Sequence, residues 1–240
     1  MILHLSQKRL LMTLLLTVGL LAALFGVWTQ HQMGEQEHQK VVLERLSSGY
    51  ILPSAKPIAP FFLHGTWGGI WDNEALHGHF SVLFFGFTHC PEMCPTTLAQ
   101  LSKAYERMEQ RARAVLPEVI FVSVDPKRDS IQELRRYLSR FNARFKGAVG
   151  DDVHLKPLKD SLGVLSMKVA MDHKHHSDMK HGSDAKVMQD YNVDHSGSVL
   201  VIDPEGELVA TLTPPHEAGA LAKDIERVIN RYYHPKEHHG

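Results

Sequence analysis

No charged residue occurs between Leu10 and Trp28, a stretch made mostly of Leu, Val, Phe and Ala and preceded by Lys8 and Arg9. At about 1.5 Å per residue this nearly spans a ~30 Å hydrocarbon core. It predicts one membrane helix, Leu10 to Trp28, within a membrane anchor at residues 1–29. A cleaved signal peptide would have a shorter apolar region and a small-x-small cleavage site, and Ala22 to Trp28 offers no clean one. From Thr29 the pattern turns polar and runs to Pro53-Ser54-Ala55-Lys56-Pro57, which reads as a linker over residues 30–57. Residues 58–235 then alternate between strand and helix patterns, and 236–240 form a His-containing tail. A short strand is expected at Pro60–Leu63 and a buried one at Phe80–Phe87, an almost unbroken apolar run. A helix is expected over Thr96–Arg113, with Leu98, Leu101, Tyr105 and Met108 on one face. Next come a strand at Glu118–Asp125, a helix at Ser130–Phe141 opened by a capping serine, and a helix at Asp151–Leu162. Ser166–Met171 reads as a strand entering an insertion. Ser198–Asp203 and Leu208–Leu212 read as a hairpin across Pro204-Glu205-Gly206, and Glu217–Tyr232 as a closing helix.

Strands alternating with helices, and a terminal hairpin and helix, predict an α/β sheet covered on both faces. A cysteine pair directly after the first long strand is the thioredoxin-like arrangement. With 240 residues, 43% of them hydrophobic, the chain can build one globular domain with a real core plus an appendage. The net charge of -1 gives no electrostatic case for nucleic acid. The positive-inside rule puts Lys8 and Arg9 in the cytoplasm and the rest outside, where disulfides persist.

The chemistry concentrates in Cys90-Pro91-Glu92-Met93-Cys94-Pro95, which holds both cysteines of the chain. A strand-to-helix turn faces the helix N-terminus, whose free N–H groups and dipole favour thiolate. Thiolates serve redox exchange and soft-metal binding alike. The thioredoxin-type redox signature has two residues between its cysteines; here there are three. A merely structural disulfide would close a very short ring and constrain the unfolded chain little. In the later segment Tyr191 to Asp203 no proline occurs, and His195 occupies the loop. Two thiolates and an imidazole suit copper, although a lone histidine is more often an ordinary surface or core residue.

Three stretches together resemble the Sco/SenC family of copper-binding proteins that assist cytochrome c oxidase assembly. They are Phe85 to Leu98 with Cys90 and Cys94, Val122 to Asp129 with Asp125-Pro126, and Val193-Asp194-His195-Ser196. The resemblance covers roughly Ile58 to the closing helix and includes the membrane anchor. It implies a thioredoxin-like fold with one copper ion, Cu(I) or Cu(II), held by Cys90, Cys94 and His195. It also implies a redox disulfide between Cys90 and Cys94, and delivery of copper to the copper-A subunit of the oxidase with other copper chaperones as partners. The expected location is the inner membrane, single-pass, with the domain in the periplasm. Asp125 matches an acidic family position, and a plain turn role fits Asp-Pro equally well.

Two alternatives share the cysteine pair: a thiol-disulfide oxidoreductase that reduces oxidase cysteines, and a copper or redox sensor. Only copper chemistry needs His195. The departure from the family pattern is Met171 to His181, an insertion rich in His and Met. Its composition suits weak metal capture or a solvated loop, and the same two readings apply to His234, His238 and His239. Met93 offers a soft sulfur between the cysteines or packs against the core. His89 has no motif support beyond its position.

Overall fold

Alternation within the run Ser81–Gly86, strand β5, decides the architecture. Its side chains are buried on both sides. Phe80, Val82 and Phe84 enter one apolar cluster, and Leu83, Phe85 and Phe87 enter another. A strand with both faces buried must sit inside a sheet with layers above and below.

The computed structural model describes residues 16–26, 44–111, 115–164, 166–170, 191–195 and 197–234, with backbone only for 166–170 and 191–195. They fall into two units, residues 1–42 and 43–240. In the first, residues 16–26 form helix α1. Its Leu16, Val18, Leu20, Leu21, Leu24 and Phe25 are exposed. Among the described residues no helix is long and apolar enough to cross a membrane.

The second unit is built on a nine-stranded sheet ordered β1-β2-β11-β10-β5-β6-β7-β3-β4. The strands are β1 (Glu44–Arg45), β2 (Gly49–Pro57), β3 (Phe62–Gly65), β4 (Ile70–Asp72), β5, β6 (Glu118–Ser123), β7 (Lys146–Val149), β10 (Val199–Ile202) and β11 (Glu207–Leu212). β5, β6 and β7 run parallel; every other pairing in the sheet is antiparallel. Strands β8 (Ser166–Ala170) and β9 (Tyr191–His195) pair with each other in a separate two-stranded sheet. Helices α2 (Met93–Glu109), α3 (Ile131–Leu138) and α5 (Ala218–Tyr233) contribute Leu98, Leu101, Leu134, Leu221 and Ile225 to the first cluster. Helix α4 (Asp152–Leu162) contributes Leu155, Leu158 and Leu162 to the second.

Local signals set the helix ends. Ser130 accepts from the Glu133 N–H while Glu133 reaches back to the Ser130 N–H, a reciprocal cap for α3. Asp151 caps α4, and Gly163 ends it in a left-handed conformation (φ 69°). Helix α2 begins three residues earlier than Thr96, so Pro95 lies in its first turn, where its missing N–H costs no helical bond.

The polar pattern read as a linker up to Pro57 contains a strand of the sheet instead. β2 pairs with β11 through Gly49, Tyr50, Ile51, Lys56 and Pro57. Its prolines are tolerated because β1 covers β2 only at Tyr50 and Ile51, and because the ladder to β11 shifts register between Leu208 and Ala210. The buried Asp224 of α5 locks this segment down, accepting from the Ser47 and Ser48 N–H groups at 3.0 and 2.7 Å and from the Ser48 hydroxyl at 2.6 Å. The folded unit therefore begins near Leu43, not at residue 58. The insertion read at Met171 to His181, His238, His239 and the rest of the tail at 236–240 lie outside the described residues.

Candidate metal centre

Strand β5 ends at Gly86, and the chain turns through Phe87-Thr88-His89-Cys90 into α2. Cys94 is fully buried in the first turn of the helix, while Cys90 is half-buried and packs against both apolar clusters. Both stand as thiols. The Cys94 N–H donates to Cys90 Sγ at 3.3 Å, so an N–H of the helix N-terminus is aimed at the sulfur. That is the contact that favours thiolate. The Cys94 thiol is pushed far up, first by its hydrogen bond to Cys90, then by burial and by the Cys90 charge. Protons must leave the thiols before a soft cation binds them as thiolates.

Gly86 is part of the site. A β-carbon there would lie 2.8 Å from Cys94 Sγ and 2.6 Å from the Phe121 ring. Only a residue without a side chain lets the helix bring Cys94 this close to the strand end.

The turn carrying Cys90 is held from below by Asp129. Its carboxylate accepts from the Thr88 N–H at 3.1 Å, the Thr88 hydroxyl at 2.6 Å and the Ser123 hydroxyl at 2.6 Å. Burial pushes the Asp129 carboxyl up, and the Ser123 and Thr88 bonds oppose it. His89 is exposed, with Nδ1 3.0 Å from the Thr88 hydroxyl and 3.8 Å from Asp129. Asp125 serves the turn: its carbonyl accepts from the Arg128 and Asp129 N–H groups at 3.1 and 3.0 Å, and its carboxylate pairs with Arg128. Asp129 was missed in the sequence. Its only signal there is its place at the end of the Asp125-Pro126-Lys127-Arg128-Asp129 stretch.

His195 ends β9, and its backbone alone is described. Two residues later Gly197 adopts a left-handed conformation (φ 63°), and a β-carbon on it would lie 2.5 Å from Met93 Sδ. The loop that follows His195 therefore packs on the residue between the two cysteines. The Gly197 carbonyl accepts from His216 Nε2 at 2.8 Å. Among the described residues no three His, Cys, Asp or Glu side chains are grouped to hold a metal ion, so the described donors are two thiols. Their softness fits copper.

The SCO1/SenC family model matches residues 52–230. A SCO2-like protein of Rickettsia prowazekii is 32% identical over 147 residues, 61% of this chain and 64% of the relative's own length, so the match spans less than two thirds of that protein. The crystal structure of Arabidopsis thaliana ScoI with copper bound is 30% identical, with a TM-score of 0.61 over 73% of this chain and 99% of that one. Yeast Sco1 with copper bound is 27% identical, with a TM-score of 0.61 over 73% of this chain and 90% of that one. The α/β fold is the thioredoxin-like fold of those Sco structures.

Proposed function

This chain belongs to the SCO1/SenC family, and we propose that it is a membrane-anchored copper metallochaperone. It carries one copper ion on Cys90, Cys94 and His195 and hands it to the copper-A subunit of cytochrome c oxidase, receiving it from another copper chaperone. One observation carries the reading: the Cys94 N–H donates to Cys90 Sγ at 3.3 Å while the loop after His195 packs on Met93. Two soft sulfurs lie at one helix N-terminus, and the loop that follows His195 packs beside them. The Sco structures solved with copper bound support copper as the cargo.

Copper binding displaces the thiol protons to solvent. Cys94, buried, anchors the ion, and Cys90, half-buried, is the sulfur an incoming acceptor thiolate reaches first. The helix N-terminus stabilises negative sulfur without adding a full positive charge, so the ion is held yet remains exchangeable. The apolar α1 supports an anchor of residues 1–29 in the inner membrane, with the domain in the periplasm. Copper stoichiometry and affinity of the full chain and its Cys90→Ala, Cys94→Ala and His195→Ala variants test the site. Wild-type affinity in either cysteine variant overturns it.

A second reading has its own observation. Two thiols four residues apart, one accepting a helix N–H, also suit thiol-disulfide exchange. A reductase of oxidase cysteines would keep exchange activity in His195→Ala, whereas copper transfer would be lost.

A further inference from the structure

We propose that Met93 supplies a thioether to the copper ion at the Cys90–Cys94 turn and thereby biases the site toward Cu(I). The inference rests on the copper reading above and adds a donor that this reading does not use.

Three observations carry it. Met93 is the first residue of α2 and lies between the two cysteines, three residues after Cys90 and one before Cys94. It therefore stands at the same strand-to-helix junction as both thiols. Second, Met93 is partly buried and, among the described residues, belongs to neither apolar cluster nor to the partly buried residues packed on them, whereas Cys90 packs on both. Third, its sulfur lies against Gly197, where a β-carbon would come within 2.5 Å. Gly197 is two residues beyond His195 and is tethered through its carbonyl to His216 at 2.8 Å. The thioether thus lies between the strand-to-helix junction that bears both thiols and the loop that follows His195. A methionine serving only as core filler would lie against the core.

Chemistry gives the direction. Thioether sulfur is soft and neutral. It strengthens binding of Cu(I) without adding a third negative charge to the two thiolates, and it does little for Cu(II). Three rotatable bonds let Met93 swing from Gly197 onto the ion as copper enters.

The test uses the full chain in detergent, reduced and loaded with one equivalent of Cu(I), as wild type and as Met93→Leu. Leucine keeps an apolar side chain of similar volume against Gly197. X-ray absorption should count three sulfur neighbours of copper in the wild type and two in Met93→Leu. Competition against bicinchoninate should show Cu(I) affinity falling about tenfold in Met93→Leu with Cu(II) affinity unchanged. The Cu(II)/Cu(I) potential then drops by about 59 mV. Selenomethionine-labelled chain should give copper–selenium scattering that disappears in Met93→Leu. Equal sulfur counts and equal affinities in the two proteins, with copper still lost in Cys90→Ser, overturn the Met93 role and leave the copper site standing. Selenium scattering that survives Met93→Leu assigns the thioether to another methionine and likewise overturns it. A wild type that holds no copper overturns the copper reading itself, and the Met93 role with it.

Discussion

The Asp129 carboxylate accepts both the backbone N–H and the hydroxyl of Thr88, 41 residues earlier in the chain. That bond pair joins the loop after β6 to the loop after β5. It fixes the turn two residues before Cys90, so the first thiol is placed from the loop after β6.

Asp129→Ala strands three donors, the Thr88 N–H, the Thr88 hydroxyl and the Ser123 hydroxyl. An unsatisfied buried donor costs about 1–3 kcal/mol, and one or two of the three will find new partners. Urea denaturation should show a loss of about 3 kcal/mol, and copper should dissociate faster. Asp129→Asn, which keeps an acceptor oxygen, should lose less on both counts. Equal stability in all three proteins would remove the clamp from the account.

Gly86→Ala places a methyl 2.6 Å from the Phe121 ring and 2.8 Å from Cys94 Sγ. Overpacking of this kind costs about 1–3 kcal/mol. Here it also displaces a proposed ligand, so copper affinity should fall with stability. Copper competition and thermal melting of the same sample check both. A variant that is destabilised but binds copper like the wild type would show that Cys94 tolerates the shift.

Burial holds His216 below the ordinary imidazole value of 6.5. The folded protein keeps the ring neutral, and the unfolded chain takes up a proton first. The stabilisation is fully present above about pH 6.5 and is lost as the pH falls through that value toward the lower folded one. His216→Gln can still donate to the Gly197 carbonyl but cannot titrate. Its stability should change less between pH 7.5 and 5.5 than that of the wild type. Parallel pH profiles for the two proteins would sink the assignment.

The domain boundary is open to a direct check. A chain starting at Leu43 keeps β1, β2 and the Asp224 bonds to Ser47 and Ser48. A chain starting at Ile58 leaves the β11 edge unpaired and the buried Asp224 carboxylate without those donors. The first should give a cooperative thermal transition, and the second should aggregate or melt without one.

Much of this protein is legible in local pattern. The run Phe80–Phe87 announces β5 because a strand buried on both faces must be apolar at every position. Ser130 and Glu133 announce the start of α3 because a reciprocal cap needs only residues three apart. The hairpin across Pro204-Glu205-Gly206 follows from turn chemistry, with Gly206 at φ 77° and Asp203 accepting two N–H groups beyond it. Cys90 and Cys94 stand out because thiols are scarce and their spacing is short.

Tertiary structure decided what depends on residues far apart in the chain. Nothing local in Gly49–Pro57, with its two prolines, distinguishes a linker from an outer strand; pairing with β11, 150 or more residues later, settles it. Asp125 and Asp129 are equivalent as letters, and only the packing of two loops makes Asp129 the one that holds Thr88. Gly86 matters because a ring and a sulfur arrive from β6 and α2. Met93 reads as either a soft donor or core filler until Gly197 is folded against it. Periodicity and spacing act over a turn of helix or a pair of strand residues, whereas these contacts exist only once the sheet and its layers have formed.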